Sequence, residues 1–164
     1  MNKLEVYDFL QKKGIAFEKV EHDAVYTIEE ADALHLPHPE SGTKNLFLRD
    51  DKKRNYYLVT VQENRTVNLK TLQGMIGSRR LCFASEEDLF RIMHLIRGAV
   101  TPFGTMNDEE RIVKVYVDSY FEGVLISSHP NDNTATVFLK SDELMSLIRE
   151  HGNFAEYLSF AEEI

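Results

Sequence analysis

Two apolar runs, Asn45–Arg49 and Tyr56–Val61, flank the polar stretch D-D-K-K-R-N. Runs of this length on either side of such a turn read as the two strands of an antiparallel hairpin. The rest of the chain has to build a sheet and a core around that hairpin. The first strand is entered through the small, flexible S-G-T of 41–43, with Lys44 at the junction. A lysine there loses water unless an anion or a cleft receives it. The plainer alternative is an edge lysine whose stem lies on apolar surface while its ammonium stays wet.

Around the hairpin, Lys3–Lys13 carries Leu4, Tyr7 (or Val6) and Leu10 at helical spacing, with Gly14 as a stop. Ala16–Glu21 predicts a short strand. In V-Y-T-I-E-E-A, Thr27 and Glu30 have the spacing of a capping box that opens a second helix. That helix ends before L-P-H-P-E-S-G-T, a loop marked by two prolines and a glycine. Further on, the pattern predicts a helix over Asn68–Met75, a strand over Leu81–Ala84 and a helix started by Ser85 and Asp88. Gly98–Gly104 (G-A-V-T-P-F-G) is neither plain helix nor central strand. Three β-rich runs follow, Val113–Asp118, Val124–Ser128 and Thr134–Leu139, then a helix capped by Ser141 that ends near His151. Phe154–Phe160 is compatible with a last strand or helix. The expected fold class is α+β: one domain over 1–164, with a mostly antiparallel sheet flanked by helices.

The 164 residues suffice for one domain with a real core. No apolar run approaches membrane-spanning length, and M-N-K-L-E-V-Y-D lacks the order of a signal peptide. With a single cysteine, Cys82, a cytoplasmic protein is the expectation. Nineteen Lys+Arg against 27 Asp+Glu give a formal charge of -8, which argues against coating nucleic acid through bulk charge. It leaves room for a local basic face. Lys52, Lys53 and Arg54, and separately Arg79 and Arg80, read first as solvated turns and second as RNA contacts.

Several chemistries fit poorly. S-G-T-K-N lacks the G-x-x-x-x-G-K-[ST] order of a phosphate loop and precedes a strand. His35 and His38 are separated and flanked by prolines, which disfavours a metal pair, and no metal or cofactor is expected. Cys82, or Ser127 and Ser128 beside His129, lack a recognisable nucleophile signature. More informative is S-H-P-N-D-N-T-A-T, with His129, Asn131, Asp132, Asn133 and Thr134 in close succession. It reads either as a turn satisfying its own backbone or as a polar pocket wall.

The stretch T-K-N-L-F-L around Lys44, G-A-V-T-P-F-G, and H-P-N-D-N-T-A-T, preceded by V-Y-T-I-E-E-A, together resemble the editing-domain family of YbaK and the prolyl-tRNA synthetase insertion. The resemblance runs from the first helix to about Leu139 and is nearest the freestanding deacylases that remove alanine from mischarged proline tRNA. It implies a compact α/β fold and hydrolysis of an aminoacyl ester. It also implies catalytic roles for Lys44, Gly98 and His129. Substrate contacts would come from Tyr26, Thr27, Asn45, Ala99, Val100, Thr101, Phe103, Gly104, Asn131, Asn133 and Thr134. Lys44 would meet the terminal phosphate or ribose, and amides of Gly98–Val100 the carbonyl oxygen. Tyr26, Thr27, Val100 and Phe103 would form the wall that excludes proline, although core packing explains Val100 and Phe103 equally well. The implied partner is mischarged tRNA, tRNA(Pro) above all, with prolyl-tRNA synthetase or a translation factor acting in trans. Ile96-Arg97-Gly98-Ala99 departs from the family's P-G-S-V-like approach, which bears on the pocket lining. Hydrolysis of cysteinyl-tRNA or another mischarged tRNA, or noncatalytic binding by the same fold, are the competing expectations.

Overall fold

The structure, a computed structural model, describes residues 1–160. The expected hairpin forms β2 (Thr43–Asp50) and β3 (Tyr56–Gln62), with Lys44 opposite Val61 and Phe47 opposite Leu58. Lys44 therefore lies inside the strand. Before the hairpin come α1 (Lys3–Lys12), β1 (Phe17–Glu21) and the short α2 (Ile28–Ala33). After it come α3 (Leu69–Ile76), β4 (Leu81–Phe83), α4 (Glu86–Met93), β5 (Val113–Asp118), β6 (Leu125–Ser128), β7 (Ala135–Lys140), α5 (Ser141–His151) and β8 (Ala155–Leu158).

A five-stranded sheet has the order β4-β2-β3-β5-β8, and a three-stranded sheet the order β1-β7-β6. Most pairs are antiparallel, as expected. The pairs β3–β5 and β5–β8 are parallel, a feature that local sequence does not announce. Strand β3 is buried along both faces. Tyr56 and Leu58 join the core formed with α1, α4, α5 and the smaller sheet, whereas Tyr57, Val59 and Val61 pack toward Leu72 of α3. Alternation along one strand thus feeds two cores.

Local chemistry explains the helix starts. Thr27 and Ser85 accept hydrogen bonds from the amides of Glu30 and Asp88, and Asn2 and Glu5 form a reciprocal box before α1. Two expectations change. Leu4 is 69% exposed, because α1 buries the stripe Val6, Tyr7 and Leu10 instead. Ser141 is no cap: it is the first residue of α5, and its buried hydroxyl donates to the Phe121 carbonyl.

Asp118 closes the sheet at the end of β5. Fully buried, it accepts from the amides of Gln62 (3.1 Å) and Tyr120 (3.0 Å) and from Arg65 Nε (2.6 Å). Asp118→Ala strands two amides and a guanidinium, so we expect a loss of about 3 kcal/mol in urea unfolding. Asp118→Asn, whose one amide oxygen still serves either the Gln62 or the Tyr120 amide, should lose less.

Candidate functional site

The loops at one end of the two sheets enclose a cleft with two adjoining lobes. The larger, about 870 Å3, is bordered by Tyr26, Thr27, Lys44, Phe83, Arg97, Gly98 and Val100. The smaller, about 410 Å3, reaches between the sheets to His22, Ser128 and Thr136. Asp32, Thr43, Asn45, Glu63 and His129 border both. The sheets are tied beside the cleft by Thr43 Oγ1 donating to the Ser127 carbonyl (3.0 Å) and Ser127 Oγ to that of Ser41 (2.8 Å).

Lys44 sits where β2 has no outer neighbour, since β4 pairs only with Leu48–Asp50. Alternation gives it the side of Leu46, while Thr43, Asn45 and Phe47 take the other. It is half-buried on the lip of the larger lobe, and among the described residues its ammonium makes no ion pair or side-chain hydrogen bond. Asn45 turns inward and its Oδ1 accepts from Thr60 Oγ1 at 2.5 Å.

The glycine-rich and polar turns meet. Thr101 Oγ1 donates to the His129 carbonyl at 2.6 Å, and Asn133 Nδ2 to that of Val25 at 3.3 Å. Gly98 has φ +91°, and a Cβ there would lie 3.2 Å from the Tyr26 ring and 3.7 Å from Asn133 Nδ2. Both the backbone conformation and the close approach of Tyr26 require glycine. The amide of Ala99 is committed to the Ile96 carbonyl (3.1 Å), which removes it from the expected set of oxyanion donors. Those of Gly98 and Val100 have no acceptor among the described residues.

His129 Nδ1 lies 2.9 Å from the Ala135 carbonyl, an acceptor only, so the proton resides on Nδ1 and the Nε2 lone pair is available. Burial pushes its pKa below the ordinary 6.5, outweighing the Ala135 hydrogen bond, and nearby His22 adds to the depression. The carboxyl of Glu63 lies against Gly42, where a Cβ would come within 2.3 Å of Oε2. Its pKa is raised by burial and then by Asp32. Among the described residues, Ser128 Oγ is buried without a hydrogen-bond partner, and neither Ser127 nor Ser128 is hydrogen-bonded to His129. Among the described residues, no three His, Cys, Asp or Glu side chains converge as metal ligands would.

Not every residue of the motifs reaches the cleft. Ala99, Phe103 and Gly104 are buried and border neither lobe; Phe103 belongs to the core, and Leu95 packs where a Gly104 Cβ would sit. Thr101 is fully buried and acts as a tether. Asn131 Nδ2 donates to the Met1 carbonyl, and Thr134 Oγ1 accepts from Lys3 Nζ and donates to Asp132, so both face the N-terminus. Asn133 braces the wall from behind. Sequence reasoning missed Asp32, Glu63 and Phe83 as cleft residues. Asp32 had the one local signal, its place directly after V-Y-T-I-E-E-A; Glu63 and Phe83 had none, because the cleft forms only when separate segments meet.

Beyond this geometry stands the class: the chain belongs to the aminoacyl-tRNA editing domain family, whose sequence profile matches residues 22–147. Among its relatives is the prolyl-tRNA editing protein ProX of Acetoanaerobium sticklandii, 43% identical over 145 residues, 88% of each chain. The mouse prolyl-tRNA synthetase associated domain-containing protein 1 is 34% identical over 163 residues, 96% of each. A solved structure described as a candidate trans-editing enzyme for prolyl tRNA synthetase superposes with a TM-score of 0.71 at 21% identity, covering 97% of each chain. That likeness bears on the fold alone. Among the described residues no helix is long and apolar enough to cross a membrane.

Two outcomes follow from the geometry. Gly98→Ala should cost about 1–2 kcal/mol of stability, from the positive φ, and displace Tyr26; thermal unfolding and the Tyr26 ring resonances report each effect. For His129 the folded pKa lies below the unfolded one, so the unfolded chain takes up the proton first as pH falls through 6.5. Its stabilising contribution is complete above that value and is lost on acidification. Urea midpoints from pH 7.5 to 5.5 should fall less steeply in His129→Gln than in the parent.

Proposed function

We propose that the protein is a trans-acting aminoacyl-tRNA deacylase whose preferred substrate is alanyl-tRNA(Pro). The observation that carries the reading is the meeting, around one cleft, of an edge lysine, two amides without an acceptor among the described residues, and a buried histidine whose Nδ1 is held by a backbone carbonyl. An aminoacyl ester is already activated, so positioning water and stabilising the oxyanion suffice. That suits a cleft whose serines have no base.

In this reading Lys44, on the lip, meets the terminal phosphate or ribose. The amides of Gly98 and Val100 face the carbonyl oxygen. Water adds to the carbonyl carbon, the ester C–O bond breaks, and the ribose oxygen leaves with a proton. The proton lost by water is taken by His129 Nε2 and delivered to the leaving ribose oxygen, or is relayed to that oxygen through the vicinal hydroxyl, which gives up its own proton as it accepts one. Asp32 and Glu63 face the substrate's α-ammonium. The family match and the prolyl-tRNA editing function in the name of ProX support tRNA(Pro). Alanine is favoured by arithmetic: a proline site rejects a smaller side chain by only about 1–3 kcal/mol per methylene, so a second hydrolytic site is needed. A cytoplasmic location and work alongside prolyl-tRNA synthetase belong to the same reading, as does one editing domain over 1–164.

The test is hydrolysis of alanyl-tRNA(Pro), prolyl-tRNA(Pro) and cysteinyl-tRNA. Selective loss of alanine is expected, slowed on the order of a hundredfold in Lys44→Ala, the worth of one charge-assisted contact. N-acetylation of the alanyl group should slow the parent more than it slows Glu63→Gln, in which Asp32 alone still faces the ammonium. Preferential loss of cysteine would replace the substrate. Survival of all three esters at enzyme excess would overturn the deacylase itself.

A further inference from the structure

The two basic stretches, 52–54 and 79–80, lie far apart in sequence, yet the fold joins them. Pairing of β2 with β4 sets Asp50 opposite Leu81, and Arg79 grips Asp51 through Nε (2.8 Å) and Nη2 (3.2 Å). The Arg79 fork holds the Asp51 carboxyl below its ordinary pKa. Asp50 is buried and spends its charge on the turn, accepting from the amides of Lys52 and Arg54 and from Asn55 Nδ2. Lys52, Lys53, Arg54 and Arg80 stay exposed, and among the described residues they form no ion pair. On a chain of formal charge -8, that is a local cationic tip.

The tip and the cleft lie at opposite ends of the same strands. Lys44 and Asp50 are six residues apart along β2, about 20 Å at ~3.3 Å per residue. Between them, on β4, stands Phe83, 61% exposed and bordering the larger lobe. An exposed ring between a cationic tip and Lys44 is the composition that holds single-stranded nucleic acid, by stacking and backbone contacts. Glu86, at the start of α4, borders the same lobe as Phe83 and pairs with Arg97 at 3.6 Å.

We propose that this tip docks the phosphate backbone of the tRNA acceptor stem, and that the single-stranded 3′ end runs over Phe83 to the cleft. The inference rests on the deacylase reading for what the cleft does, and adds where the RNA is held. Charge complementarity selects RNA, since phosphates offer a dense row of anions to cations that have none of their own.

The experiment compares the parent with Lys52→Glu/Arg80→Glu, neither residue being part of the cleft. Two substrates are used: full-length alanyl-tRNA(Pro) and the alanylated CCA trinucleotide, which is too short to reach the tip. We expect kcat/KM for the tRNA to fall on the order of tenfold at low salt and to depend less steeply on salt, with the trinucleotide unaffected. An unchanged tRNA rate, or an equal fall for both substrates, overturns the proposal. A defect seen only when prolyl-tRNA synthetase is added would make the tip a protein interface and also overturn it. Should neither ester be hydrolysed by the parent, the deacylase reading falls by itself, and anisotropy binding of uncharged tRNA then decides. Weaker binding by the variant retains the docking surface; equal binding removes it.

Discussion

Strand β3 is buried on both faces, and the register of β2 against it governs everything functional in the molecule. A slip of one residue would exchange the faces of Lys44 and Asn45 and turn Phe47 out of the core. The cost of that exchange is high because Phe47 and Leu58 pack on one side while Leu48 and Tyr57 pack on the other. Two cores therefore hold one strand in place, and the strand presents a lysine at one end and a basic turn at the other. Stability and placement of the site are the same constraint.

Loops complete the cleft, and loops need tethers. The contact between Thr101 and the His129 carbonyl, and that between Asn133 and the Val25 carbonyl, join segments from three parts of the chain. Each is at least partly buried, so breaking it leaves a polar group without water, at about 1–3 kcal/mol. These bonds hold the geometry around Gly98 more firmly than packing alone would. They also explain why residues within a functional motif need not touch a substrate: Thr101 is a strut, and Phe103 anchors the strut's far side in the core.

Much of this was legible in the sequence, and the gaps have physical causes. The hairpin, the caps at Thr27 and Ser85, and β5 at Val113–Asp118 follow from periodicity and side-chain chemistry within a few residues. The parallel pairing of β5 with β3 and β8 does not, because it joins segments whose nearness is decided by the whole chain. The same limit applies at the cleft. Lys44, Gly98 and His129 stand out by motif, and they border one cleft. Glu63 and Asp32 do not stand out, since a carboxylate on a turn or a short helix looks solvated until the opposite wall is known. Ala99, Phe103 and Gly104 mislead in the other direction: they belong to the motif that shapes the turn while their own contacts are with the core.

Charge is arranged so that one cleft can hold a zwitterionic ester. In the proposed reaction the phosphate end needs a cation at the rim, where an ammonium keeps part of its hydration. The scissile end needs a neutral acceptor, and burial shifts His129 toward its neutral form. A charged imidazole there would have lost its lone pair. Placing Lys44 at the edge and His129 inside divides the two tasks by solvation alone. In the proposed docking, the chain's formal charge of -8 sharpens that division, because it opposes RNA binding away from the strands that lead to the cleft.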